Sequence, residues 1–431
     1  MNLVNGEILD SEACGTVVDG LEQRVLRTLS KGRLDPELVI GACDRAVANL
    51  RENELLGLMA QRGIDETLGK NYLDEARRMF CGDALRRRLR AELGESFGKA
   101  RRYVPPFRET AVTEEIRPLG VLLHVAAGNM DGLPAFSVLE GLLAGNINIL
   151  KLPAAEGGIS VRLLLELIKE EPALAEYIYV FDYSSKDVFH IRQLIGAADA
   201  VVVWGGTDAV SALRGLVPPN VRLIEWGHKV GFAYVTPEGV TPDGLAGLAE
   251  NIVQTNQLLC SSIQGIFLDT DKMEAVYEFC GRFLPVLERT VRQRPQKNGI
   301  GVRAQVALEL YTEELECVRT KGRVFRGQDC SLTAFPDRAL ASSLQFGNPW
   351  VKPLPHDGLI SAIRPYKNYL QTAGLLCAPE QRAKLTEALL RAGVAHVCPP
   401  RAMSTTYCGA PHDGDYPLRR YTKTICVETG G

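Results

Sequence analysis

After Pro105-Pro106 the chain changes rhythm, and the new rhythm constrains the fold most. Short apolar runs alternate with amphipathic stretches through GVLLHVA, FSVLEGLLAGN, INILK, SVRLLLELIKEE, YIYVFD and AVVVWGG. Strand-length apolar runs separated by helical patterns require a parallel sheet with helical crossovers. Further strands are expected at Val221 to Glu225 and Phe232 to Val235, and a helix from Asp243 to Leu259 delivers the chain to Cys260. A second α/β series follows in QGIFLD, MEAVYEFCGRFLPVLERTV, VALELYTEELECV, GLISAI, NYLQTAGLLCA and AHVCP.

Ahead of the break, from Leu21 to about Arg102, apolar residues recur at three- and four-residue intervals, the pattern of an all-helical lead-in. Arg86, Arg87, Arg88 and Arg90 form a basic run within it, read as a solvated helix face, with contact to a phosphate-bearing substrate as the alternative. Beyond Pro400 the chain is rich in turn residues and ends in the extended-looking TKTICVE, which either returns to the first domain or pairs with another subunit. The expected domains are therefore a helical region 1–104 packed on the cofactor domain, a cofactor domain 105–255, a catalytic domain 256–399 and a tail 400–431.

Composition narrows the function. A chain of 431 residues, 46% hydrophobic, has ample material for two packed cores. A formal net charge of -3 with a pI near 6.2 provides no basic field for nucleic acid. No apolar stretch approaches a membrane span, and the N-terminus lacks the pattern of a secretory signal, so a cytoplasmic protein acting on a small molecule is expected. Eleven cysteines scattered without a CxxC pair fit reduced thiols better than disulfides or a structural zinc site.

Several residues stand where chemistry collects. Asn129 follows an apolar strand, at the carboxyl end where an amide can donate to a developing oxyanion, although a turn role is also open. Lys151 ends the buried-looking INILK and must reach solvent or an anionic partner such as a cofactor ribose or phosphate. Gly205 and Gly206 join a strand to a helix, where backbone N–H groups can face a pyrophosphate. Glu225 closes a strand before Gly227, a place for a general base or an ordinary salt-bridged acid. Cys260 sits in NQLLCSS between a helix and a strand, where a partly exposed thiol can be nucleophilic; the other ten cysteines read as core residues. His356-Asp357-Gly358 and His412-Asp413-Gly414 lack the supporting histidines of a metal site and read as turns, so no metal is expected.

In their order along the chain, Pro118-Leu119-Gly120-Val121, Gly128-Asn129, Lys151, Gly205-Gly206, Glu225-Trp226-Gly227-His228-Lys229 and Cys260 resemble the aldehyde dehydrogenase superfamily. The segments GNMDGLPAFSVLEGLLAGNINILKLP, NQLLCSS, NYLQTAG and APHDGDYPL are similar, from about residue 115 onward, to the LuxC-type acyl-CoA reductases, the fatty acid reductases of bacterial bioluminescence. The resemblance implies an aldehyde dehydrogenase-like fold of two Rossmann-type α/β domains and a homo-oligomer, possible acyl-transfer enzymes being its partners. It implies a catalytic set of Cys260 as nucleophile, Glu225 at the general-base position, and Asn129 with the Cys260 backbone N–H as oxyanion donors. Lys151, Gly205, Gly206, Thr207 and Gly227 would face the cofactor. Trp226-Gly227-His228 replaces the Leu-Gly-Gly of ordinary aldehyde dehydrogenases. The implied reaction reduces an acyl thioester, from acyl-CoA or an acylated protein, to an aldehyde, with coenzyme A as leaving group. NADPH is the expected cofactor, with NADH favoured instead if Glu156 faces the adenosine ribose. Alternatives are an aldehyde or semialdehyde dehydrogenase using the same thiol, and a cofactor-free acyl transferase.

Overall fold

In the computed structural model, which describes residues 1–61, 66–95, 97–126, 132–153, 158–294 and 299–428, the chain divides into two compact units. The first comprises 1–227 and 407–431, the second 228–406.

The first unit is built on a seven-stranded sheet. Its five parallel strands lie in the spatial order Ile178–Phe181, Ile147–Lys151, Val121–Val125, Ala200–Trp204, Arg222–Trp226. Mostly apolar strands make this arrangement possible, because both faces are covered, with His124, Asn148 and Lys151 as buried polar exceptions. Leu122, Leu150, Val180, Val202 and Ile224 enter one core with the helices Pro36–Ala48, Gly82–Leu93 and Leu133–Leu143. Val121, Leu123, Ile149, Val201 and Val203 enter the other, against Ser11–Asp19 and Leu21–Ser30. The chain moves outward in one direction from Val121–Val125 and then restarts in the other at Ala200–Trp204, so the sheet has its topological switch between these two strands.

Two expectations need correction. The first residues of the region read as helical form a hairpin, Asn2–Val4 with Glu7–Leu9, which adds antiparallel to Ile178–Phe181. The boundary expected at residue 255 falls at Gly227 instead. Its cause is the strand Val230–Val235, which pairs in parallel with Ile263–Leu268 on one side and Leu370–Leu376 on the other, at the heart of the second unit's sheet. That sheet runs Arg323–Arg326, Ser331–Ala334, Trp350–Pro353, Ile263–Leu268, Val230–Val235, Leu370–Leu376, His396–Cys398. The tail returns to the first unit, where Thr422–Glu428 pairs antiparallel with Val112–Pro118 beside Arg101–Tyr103.

The basic run is not one solvated face. Arg86 pairs with Glu37 and Arg90 is exposed, whereas Arg88 is buried and bridges Glu92 and Glu140, two equally buried acids. Helix periodicity explains the split, since Arg88 falls on the stripe of Leu85 and Leu89 that faces the core. The second carboxylate oxygen of Glu92 accepts from the backbone N–H of Leu418, and Tyr421 donates to Glu140, so the returning tail is seated on this ion cluster.

A neutral histidine lies in the same core. His124 is fully buried; Asn148, whose amide nitrogen donates to the Asn146 carbonyl, presents Oδ1 to His124 Nε2 at 3.0 Å, so Nε2 carries the proton. Nδ1 then accepts from Ser137, whose oxygen in turn accepts from the Trp204 indole. Burial depresses the His124 pKa from 6.5 to about 4. A depressed histidine stabilises the fold above its unfolded pKa, and that contribution, roughly 3 kcal/mol in full, is lost as pH falls from 6.5 through 4. Glu140, raised to about 7 by its own burial, acts in the opposite sense, losing its contribution as pH rises through 7. Urea unfolding between pH 7 and 4 should therefore show a steeper loss of stability in the native chain than in His124→Gln, with Glu140 common to both; parallel curves would rule out this role for His124.

Candidate active site

In the first unit the carboxyl ends of the parallel strands collect the residues singled out from the sequence. Register sets Lys151 and Val203 level with Val125, and Trp226 level with Trp204. Lys151, the Gly205-Gly206 turn and Glu225 thus lie along one edge of the sheet, flanking its topological switch. Asn129 and Glu156 fall outside the described residues.

Lys151 is buried, and desolvation pushes its ammonium pKa down, with Asp182 partly offsetting the shift. Gly205 donates to the Trp226 carbonyl at 3.2 Å, and a Cβ there would stand 3.1 Å from Ala209. At Gly206, and likewise at Gly227, a Cβ would meet open space. Gly206 caps the helix Thr207–Arg214 in an extended conformation without a side-chain bond to its first turn. The N–H groups of this turn and the buried cation at Lys151 form an edge whose chemistry suits the phosphates and ribose of a dinucleotide.

Glu225 is engaged. Arg214 grips it with two hydrogen bonds, Nε to Oε1 at 2.5 Å and Nη2 to Oε2 at 2.6 Å, while Arg420 donates to its backbone carbonyl and lies over the Trp226 ring. Both carboxylate oxygens of Glu225 are thus occupied by one guanidinium. His412 sits edge-on to Trp204 and Trp226, and its HDG string forms a tight turn closed by His412 and Asp415; the His356 string forms a one-turn helix in the second unit.

The second unit holds Cys260 in a short loop between the helix Pro242–Thr255 and the strand Ile263–Leu268. Thr241 caps the helix by accepting from Gly244, with Pro242 at the first position. At its other end Asn256 and Gln257 take left-handed conformations, φ 51° and 61°, which turn the chain out of the helix. Gln257 adopts this costly backbone because its buried side chain is fully bound. Nε2 donates to the Ile263 carbonyl at 2.9 Å and to Ser343 Oγ at 3.1 Å, and Oε1 accepts from Gly347 at 3.0 Å and Asn348 at 3.1 Å. Gln264 closes the ring, donating to the Gln257 carbonyl at 2.7 Å while its own oxygen accepts from the Ser343 hydroxyl and N–H. On the other flank Asn251 accepts from Ile263 N–H and donates to Ser404, to which Ser261 also donates. The backbone of Gly231 closes in beneath, since a Cβ there would lie 2.5 Å from the Ser262 carbonyl.

The loop thus presents its thiol on a rigid frame. Cys260 is half-buried; so, against the expectation that the other ten lie in the core, are Cys81, Cys377 and Cys408, and Cys426 is exposed. Burial, by contrast, pushes the Cys43, Cys280, Cys330 and Cys398 thiols up to about 12, where thiolate at neutral pH is negligible. Sequence inspection missed Gln257, Gln264 and Asn251, because polar residues beside a cysteine read as loop composition. The signal available was the isolated buried-position glutamine in the strand SIQGIF.

A family model described as acyl-CoA reductase (LuxC) matches residues 35–424, which extends the likeness well ahead of residue 115. The chain is 26% identical over 327 residues to a long-chain acyl-protein thioester reductase of Photobacterium phosphoreum and 24% identical to a second of Photobacterium leiognathi. Each match covers 72% of this chain but only 63% and 64% of the relatives, so the chain spans less than two thirds of their length. Among solved structures, a lactaldehyde dehydrogenase superposes with a TM-score of 0.73 at 13% identity, covering 100% of this chain and 96% of that one. A benzaldehyde dehydrogenase of Corynebacterium glutamicum gives 0.73 at 12%, covering 96% and 90%. The fold is that of the aldehyde dehydrogenases.

The frame makes a quantitative demand. Gln257→Ala strands the Gly347 and Asn348 N–H groups and the Ile263 carbonyl, which should destabilise the protein by roughly 2–4 kcal/mol and change the alkylation rate of Cys260. Urea unfolding and timed iodoacetamide labelling read the two effects; wild-type values for both would show that the ring does not hold the loop.

Proposed function

The chain belongs to the LuxC family of acyl-CoA reductases, and we propose that it reduces an acyl thioester to an aldehyde through a Cys260 acyl-enzyme. The single observation that carries this reading is the half-buried Cys260 on a loop held rigid by Gln257, Gln264 and Asn251. A nucleophile that must meet an acyl carbonyl repeatedly gains from such preorganisation.

In this reading the Cys260 thiolate attacks the carbonyl carbon of the acyl donor, acyl-CoA or an acylated protein. The tetrahedral oxyanion is held by Asn129 and the Cys260 N–H. Its collapse breaks the bond to the donor sulfur, which departs as a thiolate and takes up a proton, leaving the acyl group on Cys260. A reduced nicotinamide, when bound, supplies the hydride that converts the acyl group to the aldehyde level. The same oxyanion donors stabilise the resulting alkoxide, and Cys260 leaves as thiolate when the carbonyl re-forms. Lys151, Gly205, Gly206, Thr207 and Gly227 hold the dinucleotide. Glu225 does not serve as a water-activating base in this direction, and its grip by Arg214 supports reduction over aldehyde oxidation, where deacylating water would need a free carboxylate. The enzyme works in the cytoplasm as a homo-oligomer.

Two measurements test this. Incubation with radiolabelled acyl-CoA should place a thioester on Cys260, and Cys260→Ala should lose both label and reduction. Glu225→Gln should keep reductive turnover within a factor of about three, since no proton is taken from water. A loss of about 100-fold would instead restore Glu225 as the essential base and favour the oxidative reading.

Cofactor choice is the finer part of the proposal. We assign NADPH, on the absence of an aligned ribose-binding acid after Lys151 other than Glu156. Comparing kcat/KM with the two reduced cofactors should favour NADPH; a tenfold preference for NADH, about 1.4 kcal/mol of transition-state stabilisation, would overturn it.

A further inference from the structure

In the first unit Cys81 is the one residue between the helices Glu66–Phe80 and Gly82–Leu93, and a second thiol, that of Cys408, is pressed against the same corner. Cys408 Sγ lies 2.8 Å from the Ala84 carbonyl oxygen and 3.8 Å from that of Met79, so carbonyls on either side of Cys81 both face it. The backbone is fixed on both sides. Gly82 N–H donates to Asp44 and Leu85 N–H to the Cys81 carbonyl, which holds the corner. Cys408 sits in a turn closed by Ala410 N–H on the Tyr407 carbonyl, with Gly409 at φ 84°. A Cβ on Gly409 would stand 3.1 Å from the Ala91 side chain and 3.5 Å from the Arg88 backbone, so the turn lies tight against the helix Gly82–Leu93. Cys81 Sγ itself donates to the Arg78 carbonyl at 3.5 Å, a bond that rotation about one side-chain torsion releases.

A disulfide forms where two thiols meet on backbones that need not move. Both of these are half-buried rather than sealed in the core. Burial pushes the Cys408 thiol up, Arg88 offsets part of this, and Glu92 and Cys81 add to it, which puts the two sulfurs within electrostatic reach of each other. We infer that Cys81 and Cys408 are a reversible disulfide site, closed by exchange with a small-molecule disulfide, that fastens the C-terminal tail to the helix carrying Arg88. The Cys81 thiolate attacks one sulfur of the small disulfide, forming a mixed disulfide and expelling one small thiolate. Cys408 then attacks the Cys81 sulfur, the bridge forms and the second small thiolate leaves. Two protein thiols and one small disulfide thus become one protein disulfide and two small thiols, the two protons passing to the leaving thiolates. Under reducing conditions the pair rests as thiols and the tail is seated by hydrogen bonds alone, through the Leu418 N–H on Glu92 and the Tyr421 hydroxyl on Glu140. Closing the bridge ties that seat covalently. The inference is independent of the chemistry at Cys260.

Native full-length chain, first reduced and then incubated with glutathione disulfide, tests it by peptide mapping without reductant. A cross-link joining the Cys81 and Cys408 peptides should appear, while the exposed Cys426 takes up a single glutathione and so reports that the oxidant is active. Amide hydrogen exchange at Leu418, read on the same samples, should slow roughly tenfold or more on oxidation and return on adding dithiothreitol, because opening of the tail is then restrained. Cys81→Ser and Cys408→Ser should each abolish both the cross-link and the slowing. Separate glutathione adducts on Cys81 and Cys408, bridging of either to a different cysteine, or two free thiols in a sample whose Cys426 is modified would each overturn the site. A bridge that forms without slowing exchange at Leu418 would overturn its role as a fastening of the tail.

Discussion

A guanidinium placed in an apolar interior must find its counter-charges there, and the first unit is organised around that necessity at Arg88. Glu92 lies one turn along the same helix, and Glu140 comes from the helix Leu133–Leu143, which lies against the sheet. Two carboxylates against one cation leave surplus negative charge, answered by the Leu418 N–H and the Tyr421 hydroxyl of the returning tail, while the Phe136 ring lies beneath the guanidinium. Three stretches far apart in sequence are thereby fixed to one point. Buried ion clusters add little net stability over apolar packing, but removing Arg88 would leave two buried acids without their cation, so the arrangement enforces one geometry.

That geometry also reaches the carboxyl edge of the sheet, where Glu225 and Trp226 lie. Tyr421 also accepts, through its carbonyl, the Asn146 amide, and Arg420 reaches the Glu225 carbonyl and the face of Trp226. The tail seated by Arg88 is therefore the same tail that braces the strand bearing Glu225. In the second unit glutamine and asparagine amides do comparable work around the Cys260 loop with neutral groups.

Much of the architecture was legible because parallel strands buried on both faces announce themselves as apolar runs, and the place of Cys260 between a helix and a strand was legible from its neighbours. What escaped depended on partners distant in sequence. Arg88 looked like part of a solvated run, since a string of arginines does not reveal which one meets Glu140. Glu225 left two roles open, a base or a salt-bridged acid, because the sequence does not name Arg214, one strand connection earlier, as the residue that turns back onto it. The misplaced domain boundary has a similar origin: Val230–Val235 has the composition of any buried strand, and only pairing reveals its sheet. The hairpin at Asn2–Val4 and Glu7–Leu9 is too short and too polar on its second arm to carry a period.

The division of the chain also bears on its birth. The second unit is continuous, and all its strands are available once residue 406 has been made, whereas the first needs residues on both sides of it. During synthesis the second unit can close while the first still lacks the strand Thr422–Glu428 and the groups that satisfy Glu92 and Glu140. The continuous unit can therefore be complete while the interrupted one still awaits the pairing of Thr422–Glu428 with Val112–Pro118.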